Sequence, residues 1–112
     1  LAERLRLAVE AYDFHYGETL ILKKTCSIGF ACYPFTSQVP DALTWIDIVD
    51  IADHALYIAK RSSRNAWVGL VNSNDRPSDD LFIKVTQDTQ ALVKSNDLQL
   101  LTSITEHNDI RW

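Results

Sequence analysis

Three basic residues, Lys60, Arg61 and Arg64, lie close together at the end of a predicted helix. Such a cluster can bind phosphate oxygens, because arginine presents a planar pair of donors and lysine a mobile point charge. Cations at a helix C-terminus also offset the helix dipole, which stabilises the helix by roughly 0.3–1 kcal/mol for each cation. Residue types alone favour this second role, because no glycine-rich phosphate loop, nucleophile elbow or paired-carboxylate motif lies beside the cluster.

The helix that would position these cations is predicted to run to about Lys60. Thr44 and Asp47 form a capping-box-like start. Apolar residues then recur at helical spacing along one stripe: Trp45, Ile48/Val49, Ala52, Leu56 and Ala59. A pair of serines breaks the pattern, and AWVGLV at 66–71 is predicted to be a buried strand.

Before this helix, residues from about 19 to 33 are predicted to form one long strand. Cys26, Ile28, Phe30 and Cys32 would share one face, and the opposite face would be lined by the small residues Thr25, Ser27, Gly29 and Ala31. The small face would let a helix or a ligand approach the backbone closely. Six residues of strand would separate the cysteines by roughly 20 Å, whereas a disulfide needs Cα atoms within about 7 Å. Buried free thiols in a reducing cytoplasm are therefore expected.

The N-terminal segment is predicted to be an amphipathic helix whose pattern already runs at the first residue, with no capping residue before it. Its apolar stripe would be Leu1, Leu5, Ala8/Val9 and Tyr12, and the charged residues Glu3, Arg4, Arg6 and Glu10 would lie outside that stripe. Because the chain also contains no methionine, it is expected to be a piece of a longer protein. Residues 13–17 are predicted to form a turn or short hairpin arm.

The C-terminal third begins with a polar linker, NSNDRPSDD, which contains Pro77 and the helix-cap candidate Ser78. A second amphipathic helix is predicted after it, with the apolar positions Leu81, Val85 and Leu92. A short strand at about 98–104 is predicted to follow.

The composition of the chain limits the classes of function that it could have. The chain has 112 residues, enough for one compact domain, and its 46% hydrophobic and 23% charged residues are typical of a soluble globular protein. A net charge of −4 argues against a protein that coats nucleic acid. No apolar run reaches the roughly 18–20 residues that span a bilayer, so no membrane contact by this segment is expected. The histidines are scattered, so no zinc-site spacing occurs.

Five segments resemble, in order and spacing, those of GGDEF domains, which make cyclic di-GMP from two GTP molecules. They are AERLR (2–6), TCSIGFA (25–31), ADHALYIAK (52–60), SRN (63–65) and AWVGL (66–70). The resemblance implies that residues 1–71 are the C-terminal half of a GGDEF domain, with residues 72–112 as a linker plus a C-terminal helix and short strand extension. The implied fold class is α/β (α+β). It would be an incomplete, nucleotidyl-cyclase-like (ferredoxin-like palm) fold with a mostly antiparallel sheet and flanking helices.

The same resemblance assigns roles to individual residues. Lys60 and Arg64 match the positions that hold the terminal phosphates of GTP, and Arg4 matches a position of a secondary, product-inhibition site. Asn65 is expected to cap or order the turn, and Asp53 is expected to fix the helix rather than touch substrate. Ser63 replaces the family's glycine, which would cost on the order of 1 kcal/mol if that position required a left-handed backbone.

One departure from the family decides what this chain could do alone. The sequence contains no GG(D/E)EF motif and no family-type metal ligand, so Mg²⁺ is expected only in the complete parent domain and this chain alone is expected to be inactive. The chain is thus interpreted as a fragment of a bacterial diguanylate cyclase that carries part of the GTP phosphate site. Catalytic residues and a cofactor within the chain itself are not expected.

Two alternatives remain open on the sequence. The parent could be a degenerate GGDEF domain that binds nucleotide or a protein partner without turnover, or residues 72–112 could serve a purely structural, interaction or regulatory role. The expected partners are GTP or cyclic di-GMP through the parent domain, and a second copy of the chain. The homodimer is expected because the strand around residues 25–31 would lack a neighbour unless the C-terminal extension covers it.

Overall fold

The computed structural model describes residues 1–73 and 80–112. Its helices are α1 (Ala2–Ala11), α2 (Trp45–Ser62), α3 (Leu81–Gln87) and α4 (Thr89–Lys94), and its strands are β1 (Phe14–Tyr16), β2 (Leu20–Leu22), β3 (Ile28–Ala31), β4 (Trp67–Asn72) and β5 (Leu98–Thr102). Two single-turn 3-10 helices lie at Pro40–Ala42 and His107–Asp109. The predicted linker residue Pro77 and cap candidate Ser78 lie outside the described residues. Within the described ranges, no helix is long and apolar enough to cross a membrane.

The chain has a mixed helix-and-strand architecture with two small sheets, as its fold class predicted at the coarse level. In the larger sheet the strand order is β3-β4-β5, with β3 parallel to β4 and β4 antiparallel to β5. Helix α2 connects the two parallel strands, which gives a strand–helix–strand unit. Strands β1 and β2 form a separate antiparallel hairpin, so the hairpin arm predicted at residues 13–17 is confirmed.

Helix α2 begins as the sequence predicted. The Asp47 N–H donates to Thr44 Oγ1 at 3.2 Å, and the Thr44 N–H donates to Asp47 Oδ2 at 2.9 Å, which completes the capping box. The face of α2 that is buried differs from the predicted stripe, since Trp45 and Val49 are exposed. The buried residues are Ile48, Ile51, Ala55, Ile58 and Ala59. The apolar residues of this helix surround most of its axis, so periodicity alone did not select the face.

Gly29 lies where α2 crosses the sheet. A Cβ atom built on Gly29 would lie 2.2 Å from the Ala52 carbonyl oxygen and 2.2 Å from the Leu56 backbone nitrogen. Ala55 and Ala59 of the same helix are both fully buried in the core. The prediction that a small-sided strand face admits a close helix is confirmed, because the helix backbone itself occupies the space that a side chain would need.

The predicted long strand from 19 to 33 is wrong. Strand β2 ends at Leu22 and β3 begins only at Ile28, and residues 23–27 between them belong to neither strand. Cys26 and Cys32 are both free, as predicted, but they flank β3 rather than lying on it. Cys26 is half-buried and Cys32 is exposed, so the prediction of two buried thiols is also wrong. The local pattern could not show that the hairpin and the larger sheet are separate, because both halves of the segment favour strand.

Helix α1 confirms the predicted N-terminal helix, and it faces the sheet through part of the predicted apolar stripe as well as through charged residues. None of its residues is buried, and Leu1 and Leu5 are exposed. Leu1, Ala2 and Leu5 line a cleft of about 340 Å³ with Ile28 and Phe30 of β3. The charged residues Glu3 and Arg6, which were expected outside the apolar stripe, are half-buried against β4 through contacts described below.

The C-terminal segment joins the same sheet and core as the rest of the chain. The predicted second helix is two short helices, α3 and α4, which meet at Asp88. Val85 and Leu98 are buried in one cluster with Val68 and Leu70 of β4. Strand β5 pairs with β4 on the side opposite β3. It therefore does not cover the outer edge of β3, which has no strand neighbour in the described part of the chain. The homodimer predicted through that edge stays a prediction.

Candidate functional site

The candidate site is the C-terminal end of α2 and the turn that follows it. The N–H groups of Ser63 and Arg64 both donate to the Ala59 carbonyl, at 3.3 and 3.0 Å. The backbone of Arg64 therefore folds back against the last turn of the helix, next to Lys60. Arg64 and Asn65 have φ values of 54° and 45°, a left-handed conformation that is costly for residues with a Cβ and least so for asparagine.

Ser63 does not have a left-handed backbone. Its φ is −136°, outside the left-handed region, so a serine has no left-handed cost at this position. The left-handed residues are the next two along the chain. Sequence comparison could not show this displacement, because it depends on where the helix makes its last hydrogen bonds.

Asn65 fixes the turn through contacts with α1 rather than by capping α2. Its Oδ1 accepts from Arg6 Nη1 at 3.1 Å, and its Nδ2 donates to Glu10 Oε2 at 3.0 Å. Both partners lie more than fifty residues earlier in the sequence. The side chain thus holds two consecutive left-handed residues against a separate helix, which offsets their backbone cost. Asn65 therefore orders the turn, as expected, but it does so through contacts with α1 that the sequence did not indicate.

A charged network extends this contact to β4. Arg6 forms ion pairs with Glu3 at 2.6 Å and with Glu10 at 2.9 Å, and Trp67 Nε1 donates to Glu3 Oε2 at 2.7 Å. The hydrogen bonds from Arg6 and then from Trp67 lower the pKa of Glu3 to about 2. The hydrogen bond with Glu3 likewise raises the pKa of Arg6. Helix α1, the exit turn and the first residue of β4 are therefore joined by charge-assisted hydrogen bonds.

The three cations of the cluster differ in what they contact. Lys60 and Arg64 are exposed, and neither side chain has a hydrogen-bond or ion-pair partner within residues 1–73 and 80–112. Arg61 instead donates from Nη1 to Tyr57 Oη and to the Trp112 carbonyl, both at 3.3 Å, and its guanidinium lies 5.3 Å from the centre of the Tyr57 ring. Arg61 thus ties α2 to Trp112, whereas the described residues provide no partner for the side-chain donors of Lys60 and Arg64.

This arrangement can bind an anion only through side-chain charge. The carbonyl groups at the C-terminal end of a helix carry partial negative charge, which repels phosphate. A phosphate could bind here only if the charges of Lys60 and Arg64 outweighed that repulsion, and their side-chain donors are of the type that binds phosphate oxygens. The same two cations also stabilise the helix end, so the geometry accommodates both roles.

The other residues singled out by the sequence lie outside this cluster. Arg4 is exposed on α1 and takes no part in the network of Glu3, Arg6 and Glu10. Asp53 is exposed on α2. Among the described residues, no group of three or more histidine, cysteine, aspartate and glutamate side chains is arranged to hold a metal ion.

A second polar cluster, which the sequence did not indicate, joins α2 to the C-terminal segment. Thr89 is buried and donates through its hydroxyl to the Val85 carbonyl at 2.5 Å. His54 Nε2 lies 2.9 Å from the same hydroxyl oxygen. Because the hydroxyl proton is already donated, His54 Nε2 must carry a proton and act as the donor. Burial lowers the pKa of His54, and the Asp53 carboxylate partly opposes that shift. Neutral His54 is therefore the form that suits the folded state.

We expect the folded state to lose stability as the pH falls below 6.5, the ordinary pKa of histidine. A histidine whose pKa is lowered by folding stabilises the protein above its unfolded pKa, and that contribution disappears on acidification. The urea midpoint should therefore drop between about pH 7.5 and about pH 5.5. His54→Gln, which keeps a donor for Thr89, should make this drop smaller. His15→Gln, on the exposed hairpin, serves as the control, and an equal effect of both substitutions would refute the assignment to His54.

The network between α1 and the exit turn is another feature that the sequence analysis did not predict. Glu3, Arg6 and Glu10 have the spacing of helical ion pairs, which was a local signal that could have been noticed. Their contacts with Asn65 and Trp67 span 59 and 64 residues, and no local pattern points to them.

No protein-family model matches the chain, and neither a curated protein nor a solved structure matches it.

Proposed function

We propose that this chain is the later part of a GGDEF diguanylate cyclase domain and that Lys60 and Arg64 contribute to binding the terminal phosphates of GTP. On this proposal the parent domain joins two GTP molecules into cyclic di-GMP in bacterial signal transduction. The Mg²⁺ ions that neutralise the phosphates would be held by residues other than those of this chain. The fold would be the incomplete nucleotidyl-cyclase-like fold.

The observation that carries the proposal is how the five resembling segments pack together. The glycine of TCSIGFA lies against the backbone of ADHALYIAK. The asparagine of SRN binds the second arginine of AERLR, and the tryptophan of AWVGL binds the glutamate of AERLR. Segments from separate parts of the sequence thus support one helix end. An accidental likeness of five short segments would not require such mutual contacts.

The proposed role of the two cations is electrostatic. Phosphoryl transfer between nucleotides depends on holding the phosphates in line and on neutralising their charge. Lys60 would supply a mobile charge, and Arg64 a planar pair of donors whose backbone is held by the bond to Ala59 and by its neighbour Asn65. Arg4 would belong to a secondary inhibitory site, away from the reacting phosphates.

We expect Arg64→Ala in the complete parent domain to weaken the use of GTP more than Arg61→Ala does. Removal of a charge-assisted contact to phosphate should cost about 1.5–3 kcal/mol, or roughly tenfold to a hundredfold in kcat/KM for GTP. Arg61 already donates to Tyr57 and to the Trp112 carbonyl, so its loss should act through stability. Steady-state formation of cyclic di-GMP, with folding checked by thermal melting, measures the difference.

Arg61→Ala is the matched control, because it removes the same charge from the same helix end. Equal losses from both substitutions would mean that the cluster acts only as a diffuse field, and the proposed phosphate contact would be refuted. A parent domain that binds GTP through Arg64 but forms no cyclic di-GMP would instead support the degenerate, regulatory alternative.

A further inference from the structure

Helix α2 carries apolar side chains on its outer side as well as on the side that faces the core. Trp45 is 66% exposed, and Ile46 and Val49 are each 55% exposed. Val49 adjoins the other two, because residues three or four positions apart are neighbours on a helix surface. A helix that is apolar on both sides is typical of one that is covered on both sides, whereas these three side chains are more than half exposed in the described part of the chain.

The charges of α2 indicate what would cover this side. Residues 45–59 include three aspartates and no lysine or arginine. Asp47 belongs to the capping box, whereas Asp50 and Asp53 are exposed and lie one helical turn beyond the apolar side chains. In the part of the chain that the structure describes, neither Asp50 nor Asp53 forms an ion pair with a lysine or arginine. The outer side of α2 thus combines exposed apolar area with uncompensated negative charge.

This combination fits a partner that is both apolar and basic. Lysine and arginine side chains on the partner would pair with the aspartates at the rim while apolar side chains packed together at the centre. The same side of a second copy carries the same negative charge, and an anionic membrane surface would also be repelled. Charge complementarity therefore favours a basic protein segment over either of these occupants.

The backbone of α2 indicates the conformation of that segment. The N–H and C=O groups within a helix are already paired along the helix, so α2 offers no free edge to which an extended strand could add. A segment that docks here must satisfy its own backbone groups. An amphipathic helix does so, and its ridges of side chains can pack into the grooves of α2.

We propose that the outer face of α2 docks a basic amphipathic helix of a partner protein. This face consists of Trp45, Ile46, Val49, Asp50 and Asp53. The contact area is small, so the complex is expected to be reversible, with a dissociation constant in the micromolar range. The face does not include the cations at the end of α2. The inference therefore goes beyond the proposed function and does not depend on it.

A synthetic peptide tests the chemistry of the partner. The probe is a fluorescein-labelled helix of leucine and lysine, with leucines at i, i+3, i+4 and i+7, and with about 15 residues so that it is long enough to be helical. One control peptide carries glutamate in place of every lysine, and a second has the original composition in an order without an apolar face. Fluorescence anisotropy should show micromolar binding of the lysine peptide to the full chain and at least tenfold weaker binding of both controls. Equal binding of either control peptide would overturn the proposal.

Matched variants locate the binding surface. Ile46→Ser should weaken binding of the lysine peptide about tenfold, because it removes an apolar contact at the centre of the face. Ile83→Ser removes the same side chain from α3, where Ile83 is 53% exposed, and should leave the dissociation constant unchanged. Asp50→Lys should also weaken binding about tenfold, since it replaces attraction by repulsion. Glu18→Lys makes the same change of charge at an exposed position in the hairpin turn and should have no effect.

Equal effects within either matched pair of substitutions would mean that the peptide binds elsewhere, and the proposal would be wrong. Sedimentation velocity and flotation with phosphatidylglycerol vesicles test the other two occupants. Dimerisation or vesicle binding that Ile46→Ser abolishes and Ile83→Ser does not would assign the face to a second copy or to a membrane, and would also overturn the proposal.

Discussion

Gly29→Ala is expected to destabilise the folded chain by about 3 kcal/mol or more, at the upper end of what overpacking costs. The new methyl group would meet the Ala52 carbonyl oxygen and the Leu56 nitrogen, each at 2.2 Å. Both are backbone atoms of α2, so no change of rotamer relieves the contact and the helix must move away from the sheet. Urea unfolding followed by tryptophan fluorescence measures the loss.

Gly69→Ala is the matched control for this prediction. Its Cβ would also lie 2.2 Å from a neighbour, but that neighbour is the ring of Phe30. A side chain can be trimmed, so the double variant Gly69→Ala and Phe30→Leu should recover part of the stability lost in Gly69→Ala. Trimming Leu56 to alanine should not rescue Gly29→Ala in the same way. A loss below about 1 kcal/mol for Gly29→Ala would contradict the close seating of α2.

Leu98→Ala is expected to destabilise the chain by about 2–5 kcal/mol, as large-to-small substitutions in a core do. Leu98 is 2% exposed and lies in one cluster with Val68, Leu70 and Val85. The C-terminal segment would thus contribute directly to the stability of the sheet against which α2 packs. The free energy of unfolding, obtained from urea titration, measures the effect.

The neighbouring residue provides the control for this second prediction. Gln99 is exposed on the same strand, and Gln99→Ala should change the free energy of unfolding by less than about 0.5 kcal/mol. Equal, small effects of Leu98→Ala and Gln99→Ala would mean that β5 can leave the sheet without disturbing the core. Such a result would make the segment after β4 an appendage rather than part of the folded unit.

These two predictions bear on the candidate site because α2 positions it. The exit turn begins where α2 ends, and Lys60 lies in the last turn of the helix. Gly29 determines how closely α2 approaches the sheet, because the helix backbone occupies the space that a side chain at this position would need. The contact of Asn65 with Arg6 then fixes the turn from the side. A substitution at Gly29 or at Asn65 should therefore shift the positions of Lys60 and Arg64 without removing their charges.

The sequence by itself determined the features that depend on neighbours along the chain. The capping box of Thr44 and Asp47, the strand at β4, and the helix at α1 were predicted because they rest on local hydrogen bonds and side-chain periodicity. The close approach at Gly29 was also predicted, because a residue without a Cβ on a small-sided strand face leaves space for a helix backbone to pack closely. Lys60 and Arg64 were selected by a family resemblance that covers residues around them.

Only the tertiary structure decided the features that depend on distant contacts. It selected the buried face of α2, because Trp45 and Val49 are as apolar as the residues that packing buried instead. It separated β2 from β3, whose residues favour strand equally well. It also joined Arg6 to Asn65, and it gave Arg61 partners while, among residues 1–73 and 80–112, Lys60 and Arg64 have none. Such pairings depend on how distant elements pack together, and they cannot be predicted from a side chain's immediate neighbours in the sequence.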